Sequence, residues 1–126
     1  MALVAACLAQ APGAAAEPEA DCRQNADLSA KLGGCTALLG VLDGIVLDGQ
    51  AWAYAERANA ACWAGQPDHA VRDIWAWFDA DPASIRRMQA KLSALGLFAG
   101  EADGGFSAAL DDAVIAWAGA GCPEAP

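Results

Sequence analysis

The chain has 126 residues, with seven Lys and Arg against sixteen Asp and Glu and a formal net charge of −9. Such a surface repels polyanions and gives no electrostatic help toward anionic lipid, so nucleic acid is not expected as a partner. No apolar run reaches the roughly 18 to 20 residues of a membrane span, and an Ala-rich sequence without period-two alternation predicts an all-α fold of short helical hairpins packed in series.

The first sixteen residues, MALVAACLAQAPGAAA, hold an apolar core from Ala2 to Leu8 and small residues at 14 and 16. That pattern predicts a signal peptide over 1–16, cleavage after Ala16 and export to the periplasm or beyond the cell. No Lys or Arg precedes Arg23, so the basic n-region is missing and a start upstream of Met1 is expected. The run Val4-Ala5-Ala6-Cys7 is similar to a bacterial lipoprotein box, which implies a lipid on Cys7 as the alternative to simple cleavage.

Loss of the leader leaves Cys22, Cys35, Cys62 and Cys122, an even number suited to an oxidising compartment. Three pairings are open. Cys22 with Cys35 closes a loop of about fourteen residues, worth about 3 kcal/mol in lost loop entropy. Cys62 with Cys122 then staples the middle of the chain to its end and requires Cα atoms within about 7 Å. Four buried free thiols in a cytoplasmic protein is the competing reading, and it conflicts with export. No C-x-x-C pair occurs and His69 is the sole histidine, so neither a metal nor another cofactor is expected.

Asp27 is positioned to cap a helix running to Leu39, with Leu28, Leu32, Cys35 and Leu39 as its apolar stripe. Gly33 and Gly34 weaken that helix by about 1 kcal/mol each relative to Ala. Two Leu-Asp-Gly triplets, at 42–44 and 47–49, read as turns. They lack the acidic positions and closing Glu of a calcium loop.

From Gln50 to Ala64 the composition is helical, Gly65-Gln66-Pro67-Asp68 breaks the run, and a second helix over Ala70–Asp79 stops before Pro82. Tyr54, Ala58, Gly65, Ala70, Ile74 and Pro82 fall at the spacings of one tetratricopeptide repeat, so the segment resembles a single hairpin of that family. Trp77 stands where the family usually has Ala, and such repeats normally occur in at least three copies. The hairpin holds Trp52, Trp63, Trp75 and Trp77. Most of this aromatic surface is expected in the core, but two adjacent helices cannot hide four indoles on one face. Trp63 and Trp75 are therefore candidates for contact with a protein partner. Trp75 and Trp77 lie about 200° apart around a helix, so one of them is expected to meet the C-terminal helices.

After Pro82, Ile85, Met88, Leu92 and Leu95 form a core-facing stripe ended by Gly96, and Leu110, Ala113, Val114 and Trp117 form a second. Between them lies LGLFAGEADGGF, a Gly-rich acidic turn in which Asp103 can accept backbone N–H groups; Ser107 then caps the next helix. Ile85, Gln89, Leu92, Leu95, Gly96, Gly100, Asp103, Gly104, Phe106, Ala113, Val114 and Trp117 match in kind and spacing. The segment resembles the small three-helix peptidoglycan-binding domain attached to bacterial cell-wall enzymes. It departs from that family at Ser107-Ala108-Ala109-Leu110, where Gly-Pro-x-Thr is usual, and at Ala118, where Gln is usual.

The resemblance implies a muropeptide ligand, with Arg86 and Arg87 donating to stem-peptide carboxylates and Gln89 or Asp103 as hydrogen-bonding groups. Charge argues against an anionic polymer, since Arg86, Arg87 and Lys91 face Glu101, Asp103, Asp111, Asp112 and Glu124 in this segment. No enzyme is expected, because Cys62 and His69 lack an orienting third group and an oxyanion donor. The chain thus divides into a helical region over 17–82 and a peptidoglycan-binding-like domain over 83–122. It is expected to be a non-catalytic, exported, disulfide-stapled binding module of the bacterial envelope that takes peptidoglycan. The alternative is a tetratricopeptide-like interaction or scaffolding module for an envelope protein, with a C-terminal unit that no longer binds cell wall.

Overall fold

A computed structural model of the chain describes residues 17–40 and 50–125. The expected leader, Cys7 and the two Leu-Asp-Gly triplets lie outside them. The described residues contain six α-helices and no strand: α1 (Pro18–Arg23), α2 (Leu28–Gly40), α3 (Trp52–Trp63), α4 (Pro67–Ala80), α5 (Ala83–Ala94) and α6 (Ala108–Gly119). Two disulfides staple them, Cys22–Cys35 with Cα atoms 4.6 Å apart and Cys62–Cys122 with Cα atoms 5.8 Å apart.

Asp27 caps α2 as its side chain predicts, Oδ1 accepting from the Ala30 N–H at 3.0 Å. The buried face of that helix differs from the expected stripe. Leu28 and Leu32 are only half-buried, whereas Lys31, Gly34, Cys35 and Leu39 are buried. The close approach of α1 decides this. A Cβ on Gly34 would stand 2.6 Å from the Pro18 carbonyl oxygen and 2.9 Å from the Cys22 nitrogen, while one on Gly33 would meet open space. Gly34 is therefore the contact that lets α1 lie on α2, and Lys31, one turn earlier, is carried inward with it. Its ammonium is 0 % exposed and donates to the Cys22 carbonyl and, at 2.8 Å, to Glu56 Oε2 on α3. A buried ammonium is tolerated only with such partners.

α3 and α4 form a helical hairpin joined through residues 64–66. The small residues Ala58, Ala61 and Ala70 at their contact are nearly solvent-free, and Arg57 on α3 grips Asp73 on α4 through two 2.8 Å bonds. The core does not divide at residue 82. One cluster joins Ala58, Ile74 and Phe78 of the hairpin to Ile85, Met88, Leu92, Leu110, Val114 and Trp117 of the C-terminal helices, with both Cys62 and Cys122 inside it. Residue 82 is thus a turn between helices that share a core. A separate small cluster of Cys22, Cys35, Leu39 and Ala53 lies under the N-terminal helices. No helix among the described residues is long and apolar enough to cross a membrane.

Candidate functional site

The site is built on α5, whose buried positions Ile85, Met88 and Leu92 follow helical spacing and leave Arg87 and Lys91, one turn apart, on a flank. That flank borders a groove of about 320 Å³ reached by α3, α4, α6 and the segment after α6. Trp77 and Trp117 supply its aromatic walls, and Arg87, Lys91, Asn59 and Glu124 its polar groups. The Arg87 guanidinium lies 6.0 Å from the centroid of Trp77 and the Lys91 ammonium 5.1 Å from that of Trp117. Trp117 also donates its Nε1–H to the Pro123 carbonyl at 2.9 Å, which holds the chain after Cys122 against α6.

Both cations already carry carboxylate partners, Arg87 at 2.8 Å from Asp81 and Lys91 at 3.4 Å from Glu124. The Arg87 side chain is 60 % exposed and Glu124 is 76 % exposed. Solvated pairs of this kind contribute about 0–1 kcal/mol. A carboxylate from outside can replace Asp81 or Glu124 at little cost.

The four residues predicted to face a ligand fall into two groups. Arg87 lines the groove. Gln89 is 1 % exposed and spends its amide on the loop: Nε2 donates to Asp103 Oδ1 at 3.2 Å and to the Gly105 carbonyl at 3.0 Å, and Oε1 accepts from the Gly104 N–H at 2.8 Å. Gln89, expected to hydrogen-bond a ligand, spends its amide on anchoring the acidic loop to α5 from inside. Asp103 completes that anchor by accepting the Gly105 N–H at 2.9 Å. The Gly105 N–H first, and then the Gln89 amide, hold the Asp103 carboxyl below its ordinary 3.8. Gly104, with φ of 79°, makes the turn that brings these groups together. Arg86 is exposed on the loop side, where its charge also lowers Asp103.

Among the aromatic residues, Trp63 ends α3 and is 46 % exposed. Trp75 is stacked on Phe106 of the loop at 5.6 Å and meets Phe78 edge-on at 5.5 Å. Trp75 and Trp77 therefore both meet the C-terminal segment, where only one was expected to. Asn59, Lys91 and Glu124 carry no mark in the sequence that singles them out, and Trp117 falls on a core stripe there. The one local signal for the site was the Arg87–Lys91 spacing. Cys62 is tied into a disulfide, which removes its thiol from any pairing with His69.

No protein-family model, curated protein or solved structure matches the chain.

Proposed function

We propose that the chain is a non-catalytic binding module of a bacterial envelope, exported with its disulfides formed, and that it binds peptidoglycan in the groove beside α5. The observation that carries this reading is the pairing of a half-buried indole, Trp77, with two exchangeable cations, Arg87 and Lys91, on the helix that carries the peptidoglycan-binding resemblance. A muropeptide presents sugar faces, amides and free carboxylates. An indole face takes the first, Asn59 can bond the second, and the cations take the third. Arg86, exposed on the other flank of α5, is open to a further carboxylate. The net charge of −9 makes the module selective for single carboxylates placed at these cations over a long polyanion. The two disulfides suit an oxidising compartment and so support export.

Cosedimentation of the oxidised chain with insoluble peptidoglycan sacculi tests this. The wild type is expected in the pellet, and the Arg87→Ala, Lys91→Ala double variant in the supernatant. Equal retention of both, or no retention of the wild type, refutes the groove as a wall-binding site. The exposure of Trp63 favours a second reading, a protein partner on the tetratricopeptide-like hairpin. In that case sacculi retain nothing, and Trp63→Ser loses an envelope partner that the wild type holds.

A further inference from the structure

A second cavity, of about 290 Å³, lies where α2 meets the α3–α4 hairpin and shares no lining residue with the groove. Its polar lining is Thr36 from α2, Arg57 from α3, Gln66 just before α4, and His69, Arg72 and Asp73 from α4. In a chain with more than twice as many acids as bases, this cavity gathers two arginines and the sole histidine around a single carboxylate.

The geometry of Arg57 makes the cavity more than a gap. Its Nε donates to Asp73 Oδ2 and its Nη2 to Asp73 Oδ1, both at 2.8 Å, so Asp73 occupies the side edge of the guanidinium. Nη1 reaches Thr36 Oγ1 only at 3.5 Å. The end edge, with a hydrogen on each Nη, is left without a strong acceptor. That edge has the planar two-donor spacing that matches the two oxygens of a carboxylate. Asp73 is 6 % exposed and fixes the guanidinium in place, so little side-chain freedom is lost on binding. Asp73 also neutralises Arg57. Arg72, which has no ion-pair partner among the described residues, is the cavity's uncompensated fixed charge. The first turn of α4, capped by no side chain, adds its N–H groups beside Gln66 and His69.

We propose that this cavity binds a small hydroxylated monocarboxylate, its carboxylate between the end edge of Arg57 and Arg72 and its hydroxyls toward Thr36, Gln66 and His69. The volume lies at the lower limit of small-molecule pockets, so the ligand is the size of a sugar acid and not of a polymer. A single uncompensated cation selects a monoanion over a phosphate dianion.

Calorimetric titration of the full oxidised chain with gluconate, and in parallel with uncharged glucose and inorganic phosphate, tests the proposal. Gluconate is expected to saturate with Kd of about 1 mM or tighter while glucose does not bind. Arg72→Ala, an exposed position that leaves the hairpin bond intact, weakens gluconate by about tenfold or more. Lys91→Ala leaves it unchanged, which separates this cavity from the groove. Arg57→Lys, provided its helical circular dichroism matches the wild type, also loses binding because an ammonium has no planar edge. Failure of gluconate to saturate, equal binding of glucose, phosphate binding without gluconate binding, or an unchanged affinity in Arg72→Ala each overturns the assignment.

Discussion

Around Cys22–Cys35 the buried apolar residues are the two cysteines, Leu39 and Ala53; around Cys62–Cys122 they include Phe78, Ile85, Leu92, Leu110 and Trp117. The first region has little to bury. It is held by a covalent bond, by the touch of α1 on Gly34 and by the buried Lys31–Glu56 pair. The second is held by apolar side chains drawn from α3 through α6, and its disulfide adds to a core that already exists. One small chain thus uses two modes of cohesion, and the groove beside α5 is mounted on the apolar one. Trp77, Arg87, Lys91 and Trp117 all stand on helices of the larger cluster.

Removing the disulfides is expected to have the largest effect on stability. Cys62→Ala with Cys122→Ala is expected to cost about 4 kcal/mol by urea denaturation, and Cys22→Ala with Cys35→Ala about 3 kcal/mol, from loop entropy. The distinguishing readout is hydrogen exchange. Loss of Cys22–Cys35 should raise exchange in α1 and α2 while α4 to α6 stay protected, because the larger cluster does not depend on it. Uniform exchange in all six helices would show a single cooperative unit.

The neighbouring glycines of α2 differ in what surrounds them. Gly34→Ala places a methyl against the backbone of α1 and should cost about 2 kcal/mol through overpacking. Gly33→Ala enters open space on the same helix and should stabilise by up to about 1 kcal/mol. Thermal melts of the two variants are thus expected to move in opposite directions. Lys31→Met is expected to cost about 1 kcal/mol: the Cys22 carbonyl loses a donor, but Glu56, with its side chain 31 % exposed, can turn to water.

The smallest effect belongs to the loop of the larger region. Because folding lowers the Asp103 carboxyl, its contribution is intact above the ordinary 3.8 and is lost as pH falls through the lower folded value. The Gly105 amide signal should therefore hold steady from neutral pH to about 4 and shift below that. In Asp103→Asn that acid shift should vanish.

What was legible in the sequence was local. The all-α class, the Asp27 and Ser107 caps, Gly96 at the end of α5 and the acidic turn each depend on residues within a few positions of one another. The two disulfides are one of the three pairings that the even cysteine count left open. The Arg57–Asp73 bond, the Lys31–Glu56 pair and the core shared across residue 82 join residues far apart in the chain, which periodicity does not encode. Gln89 stood out as a hydrogen-bonding residue, but such a residue reads alike whether it bonds a ligand or its own loop, and here it bonds the loop. The aromatic walls of the groove are ambiguous in sequence for a related reason. A tryptophan at a stripe position serves as core on one side and as a wall on the other.

Muropeptide binding in the groove is tested by titrating the oxidised chain with a soluble muropeptide and following the indole N–H signals of its five tryptophans. Trp77 and Trp117 are expected to move together while Trp52 and Trp63 stay fixed. Movement of Trp63 alone, or of no indole at saturating muropeptide, would contradict it.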